Sequence, residues 1–144
     1  MDHPANTQDT TVDSRTYEGL AAFRYALRQF LAFSGAAASA AGVTSHQYQV
    51  LLIIRAHPGG AIIIRDLAEQ MLVQHHSAVQ MVDRLVSARL VERRESASDR
   101  RSVLVALTAK GAKLLERLAS EHFAELRRQE PLLAESLKRL RDVR

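Results

Sequence analysis

Six arginines, Arg84, Arg89, Arg93, Arg94, Arg100 and Arg101, fall in an eighteen-residue run that holds only Glu92, Glu95 and Asp99 as acids. A guanidinium is a planar fork of donors that bonds phosphate oxygens or a guanine edge in two places, with no proton transfer required. Upstream, the stretch HHSAVQMVDRLVSAR presents His75, His76, Ser77, Val79, Gln80 and Arg84 along one face at helical spacing. Glutamine matches adenine bidentately, arginine matches guanine, and a valine suits a thymine methyl. The chemistry on offer is recognition of a nucleic acid. The overall charge of +4 says less than its placement, because Asp2, Asp9, Asp13 and Glu18 face only Arg15 in the first twenty residues.

Other chemistries find little support. There is no cysteine, which removes disulfides, thiolate zinc sites and thiol redox sensing. The six histidines are scattered apart from His75-His76, and no HExxH pattern occurs. No glycine-rich phosphate loop and no nucleophile–base pair is present, so neither an enzyme, a cofactor nor a metal centre is expected. The polar start MDHPANTQDTTVDS has no secretory pattern, and the apolar region from Leu20 to Val43 is broken by Arg24 and Arg28. A cytoplasmic protein with no membrane partner is the expectation.

The elements that position these side chains can be read from periodicity. Residues 1–14 read as a disordered lead-in. A helix runs from Ser14 to about Ala41, with Leu20, Phe23, Leu27, Phe30, Leu31 and Ser34 as its buried stripe and Gly42 as its stop. Thr44 and Gln47 form a capping box for a second helix, which ends before His57-Pro58-Gly59-Gly60. A very short strand at Ile62–Ile64 and a helix near Arg65–Leu72 follow. A turn at Met71–Gln74 leads to a helix from about His75 to Arg89, with Ala78, Met81, Val82 and Leu85 facing inward. Thr108 caps a long helix that Pro131 interrupts at Glu130, leaving a last helix with Leu133, Leu137 and Leu140.

Helix, turn, helix and hairpin in that order make a winged helix, with VERRESASDRRSVLVALT as the wing. Its tip residues Ser98, Asp99, Arg100 and Arg101, with Arg94 on the rising strand, suit a minor groove whose potential attracts arginine. Asp99 is a brace able to orient a neighbouring guanidinium. The run ASDRRSVLVALTAKG resembles the wing signature of the MarR family of bacterial regulators, Asp-x-Arg followed by Leu-Thr-x-x-Gly, in Asp99, Arg101, Leu107, Thr108 and Gly111. VQMVDRLVSARLVERRE is similar to the same family's recognition helix entering its wing. There are departures: His75-His76 stands where proline, serine or aspartate is common, and Arg65 where a small capping residue is common, leaving Asp66 to favour that helix start.

The resemblance implies a fold that is mainly α with a small β-hairpin, a winged helix-turn-helix with N- and C-terminal dimerisation helices. Residues 15–144 then form one domain, with a DNA-binding core at about 44–108 and dimerisation helices at about 15–41 and 109–143. It implies a homodimer on a pseudo-palindromic duplex, usually a repressor, released by a small phenolic or anionic effector. Phe23, Leu27, Leu118, Leu126, Leu133, Leu137 and Leu140 are the expected dimer contacts, and Tyr25, Phe33, His46, Tyr48 and Arg55 the expected effector pocket. Two alternatives stay open at this level: a winged-helix module that binds an acidic protein, and a metal-sensing regulator.

Overall fold

The computed structural model describes residues 12–96, 98 and 102–143. Its elements are α1 (Ser14–Ala40), α2 (Ser45–Ala56), β1 (Ala61–Ile63), α3 (Ile64–Met71), α4 (His75–Ser87), β2 (Val91–Glu95), β3 (Val103–Leu107) and α5 (Ala109–Arg141), with a 3-10 turn at Pro58–Gly60. Two compact units result. One is Ala32–Glu125, and the other joins the residues up to Leu31 with those from Leu126 onward. Most of the lead-in, residues 1–11, lies outside the described residues.

The larger unit is a winged helix. Gly42, at φ 84°, ends α1 in the left-handed region where glycine carries no Cβ penalty. Thr44 then caps α2: its Oγ1 accepts from the Gln47 N–H at 3.0 Å, and its own N–H donates to Gln47 Oε1 at 2.9 Å. Leu51, Ile54, Ile62, Leu67, Val82, Leu85, Val105 and Leu118 are fully buried and bring α2 to α5 and the sheet onto one core. The sheet is antiparallel in the order β1-β3-β2, so the expected hairpin gains a third strand. Ile62 lies opposite Val105 and Val91 opposite Leu107, which aims the apolar set of each strand at the core.

One corner joins α4, the sheet and α5. Thr108 Oγ1 donates to the Arg89 carbonyl at 2.6 Å and accepts from the Gly111 N–H at 3.0 Å. The Thr108 N–H donates to the Leu90 carbonyl at 3.1 Å. A Cβ on Gly111 would stand 2.0 Å from that same Leu90 oxygen. The Leu-Thr-x-x-Gly pattern is therefore a structural lock, with threonine as N-cap and glycine required by close backbone approach.

Three sequence expectations need correcting. Pro131 does not end a helix: α5 continues through it to Arg141. Proline removes one backbone bond, but here it is exposed, and the helix is anchored on both sides of it by buried Gln129 and Ser136. The stripe of α1 is also different. In the single chain its buried positions are Gly19, Ala26, Ser34 and Ala38, while Leu20, Leu27 and Leu31 are exposed. Small residues allow close approach, as where Gly19 lies against Leu140 in the smaller unit. Leu118 is fully buried in the core of the larger unit and so packs inside one chain rather than between two.

Two glycine substitutions should act in opposite directions. Gly111→Ala should destabilise by about 2 kcal/mol or more, since a methyl meets backbone that has no room to yield. Leu72, by contrast, sits at φ 57° and is 92% exposed. Leu72→Gly should therefore stabilise by roughly 1 kcal/mol, by relieving a left-handed leucine without loss of burial. Urea denaturation of both variants checks the signs.

Candidate nucleic-acid interface

Helices α3 and α4 meet through a three-residue turn. Leu72 closes α3 in the left-handed region, the Val73 N–H donates to the Ala68 carbonyl at 3.1 Å, and Gln74 then starts α4. Ala78, Val82 and Leu85 are buried on the core, which fixes the opposite face of α4 outward. On that outer face His75, His76, Gln80 and Arg84 are exposed, and Ser77 and Val79 are half-buried. All six sequence-derived positions share one stretch of surface. Asp83 is exposed there too, an acid that the search for base-reading side chains passes over.

At its end α4 turns sharply. Arg89 takes φ 61°, and the Leu90 N–H donates to the Leu85 carbonyl at 3.0 Å. Strand β2 leaves with Val91 and Arg93 on the core side of the sheet and Glu92 and Arg94 on the other, as strand alternation requires. The two neighbouring arginines consequently do different things. Arg93 reaches back to the Asp83 carboxylate of α4, while Arg94 donates from Nε to Glu92 Oε1 at 2.8 Å. Ser98 is exposed, with its hydroxyl 3.1 Å from that of Ser96. The tip residues Asp99, Arg100 and Arg101 lie outside the described residues, and with them the brace assigned to Asp99.

A two-faced helix beside a two-stranded ribbon can be compared with known proteins. The MarR family model matches residues 41–102, the span from just after α1 to just before β3. Over that span the chain is similar to the MarR family. A MarR mutant from E. coli complexed with operator DNA is 27% identical, with a TM-score of 0.63 over 81% of this chain and 89% of that one. RV1404 from Mycobacterium tuberculosis is 28% identical, with a TM-score of 0.69 over 82% and 80% of the two chains. Among curated proteins, the HTH-type transcriptional regulator YfiV of Bacillus subtilis is 33% identical over 88 residues, 61% of this chain and 54% of that one. The chain spans about half the length of the curated relatives it matches. These relatives are transcriptional regulators rather than enzymes.

Among the described residues, the five expected at an effector pocket separate. Tyr25 belongs to the smaller unit, where it lines a recess of about 190 Å³ with Gln29, Leu132, Ser136 and Arg139. His46 lines a different recess, with Arg84 and Met81, and Arg55 is exposed at the far end of α2. Only Phe33 and Tyr48 come together, and they do so on a residue that the sequence reading left among scattered histidines. His122 of α5 is buried, stacked on Tyr48 at 4.1 Å between ring centroids and edge-on to Phe33 at 5.5 Å. Its Nδ1–H donates to the Leu118 carbonyl at 2.6 Å, because a carbonyl only accepts. Its Nε2 then accepts from the Ser34 hydroxyl at 2.8 Å. Burial also raises the pKa of the Tyr48 phenol above its ordinary value.

This histidine joins α1 to α5 through bonds that leave no ring nitrogen idle. Ser34→Ala should cost about 1–3 kcal/mol, the penalty for a buried acceptor whose donor is removed. Ser34→Cys, which keeps a weak donor, should cost less; equal stability of alanine variant and parent in urea would exclude this role for the bond.

Proposed function

We propose that the protein is a homodimeric, sequence-specific DNA-binding regulator, a repressor released by a small effector. The observation that carries this reading is the outer face of α4, where Gln80 and Arg84 stand exposed beside the two-stranded ribbon that holds Arg93 and Arg94. On this reading His75, His76, Ser77, Val79, Gln80 and Arg84 enter a major groove, and Arg94, Ser98, Asp99, Arg100 and Arg101 form the wing that meets the adjacent minor groove. The complex of E. coli MarR with operator DNA supports it by likeness of fold.

The smaller unit supports the dimer. Its single-chain surface leaves Leu20, Leu27, Leu126, Leu132 and Leu137 between 39% and 57% exposed. Leucines at that density on two helices favour burial against a second copy. Phe23, Leu27, Leu126, Leu133, Leu137 and Leu140 are the proposed contacts. Two copies place two recognition helices on two half-sites of a pseudo-palindrome. On this reading the effector is a small phenolic or anionic molecule.

Arg84→Ala should weaken binding to the preferred duplex by about 1–3 kcal/mol and relax its base preference. Arg101→Ala should lower affinity for all duplexes and reduce the salt slope by about one. Fluorescence anisotropy across a salt series separates the two. Unchanged affinity and slope in both variants would overturn the proposed DNA face. Leu27→Glu with Leu137→Glu should shift sedimentation from dimer to monomer and abolish high-affinity binding together.

A further inference from the structure

The pairing of Arg93 with Asp83 has a consequence for how the wing and the recognition helix act together. Asp83 lies on the outer side of α4, next to Arg84 and one turn from Gln80. An unshielded carboxylate at that place repels a phosphate backbone, so on charge alone it opposes binding. Arg93, in turn, is the second core-side residue of β2, following buried Val91 in the strand alternation. Its partner across the ladder is Val105, which is fully buried. The guanidinium is thereby directed toward α4, where it meets Asp83, while Arg94 on the other side of the strand pairs with Glu92.

Among the described residues, hydrogen bonds at the corner where α4 leads into the ribbon join the Leu90 N–H to the Leu85 carbonyl and Thr108 Oγ1 to the Arg89 carbonyl, and from α5 the Lys110 ammonium donates to the Ala88 carbonyl at 3.2 Å. The Arg93–Asp83 pair is set further along the strand, between the base and the tip. Both side chains are partly exposed, at 36% and 58%, so the pair adds little to folding stability.

We propose that Asp83 and Arg93 are positioning residues for DNA recognition: their ion pair holds the wing at a fixed angle to α4, so that groove and wing contacts are made together. This rests on the DNA-binding reading given above. An exposed pair worth little to the fold can still matter here, because a rigid two-part surface loses less freedom on binding than a hinged one. The pair also removes the repulsion that Asp83 would otherwise exert.

The test compares Asp83→Asn, Arg93→Gln, Arg93→Lys and the Asp83→Asn/Arg93→Gln double variant of the full chain. The probes are a duplex enriched by the wild type from a random pool and a scrambled duplex of equal length. Each single neutralising variant should lose about tenfold in affinity for the enriched duplex, and the double variant should lose no more than either. Asp83→Asn should bind the scrambled duplex as well as the wild type or better, and Arg93→Lys should recover most of the enriched-duplex affinity. Thermal midpoints should stay at the wild-type value.

Simple electrostatics makes the opposite forecast, since loss of an acid raises affinity for every duplex. Asp83→Asn binding the enriched duplex at or above wild-type affinity would overturn the proposal. So would losses that multiply in the double variant, which would mean separate contacts, with Asp83 accepting from a cytosine or Arg93 touching a phosphate. A wild type that enriches no duplex at all would remove the DNA-binding reading itself, and this proposal with it.

Discussion

The backbone carbonyl of Leu90 is where α4, the ribbon and α5 are held to one another. It accepts the Thr108 N–H, and it lies so close to Gly111 that no side chain fits between them. Thr108 completes the corner by bonding the Arg89 carbonyl and capping α5. Four elements change direction within these few residues: α4 ends, β2 starts, β3 ends and α5 starts. With this corner fixed, strand alternation determines the direction of each side chain on the ribbon.

That geometry gives the basic run a division of labour that a charge count does not. Of the adjacent pair, Arg93 turns toward α4 and meets Asp83, whereas Arg94 turns away and meets Glu92. Arg93 and Arg94 are thus each paired with an acid, while Arg84 stands exposed on the helix face. The surface combines a helix that carries the base-reading types with a ribbon braced against it. This arrangement favours a duplex groove over a generally acidic partner, because it fixes direction as well as charge.

Much of this was legible in the residues, for reasons that differ by element. Thr44 and Gln47 stated a helix start because a capping box is local, and α4 stated its two faces because Ala78, Val82 and Leu85 recur with the helical period. Pro131 misled because a local rule was weighed without the buried Gln129 and Ser136 that carry α5 across it. The leucines of α1 misled in another way: an apolar stripe says that something covers it, not whether the cover belongs to the same chain. His122 was missed because its partners Ser34 and Tyr48 are distant in sequence. The available signal was its place at the spacing of buried Leu115 and Leu118, where a polar residue needs a partner.

The central claim is that two such recognition surfaces read one duplex in a sequence-dependent way. Selection of bound duplexes from a random pool at physiological salt tests it most directly. The account predicts enrichment of an inverted repeat whose half-site centres lie roughly 34 Å apart, one helical turn. A recovered pool with no sequence preference, held only by contacts that salt abolishes, would contradict it.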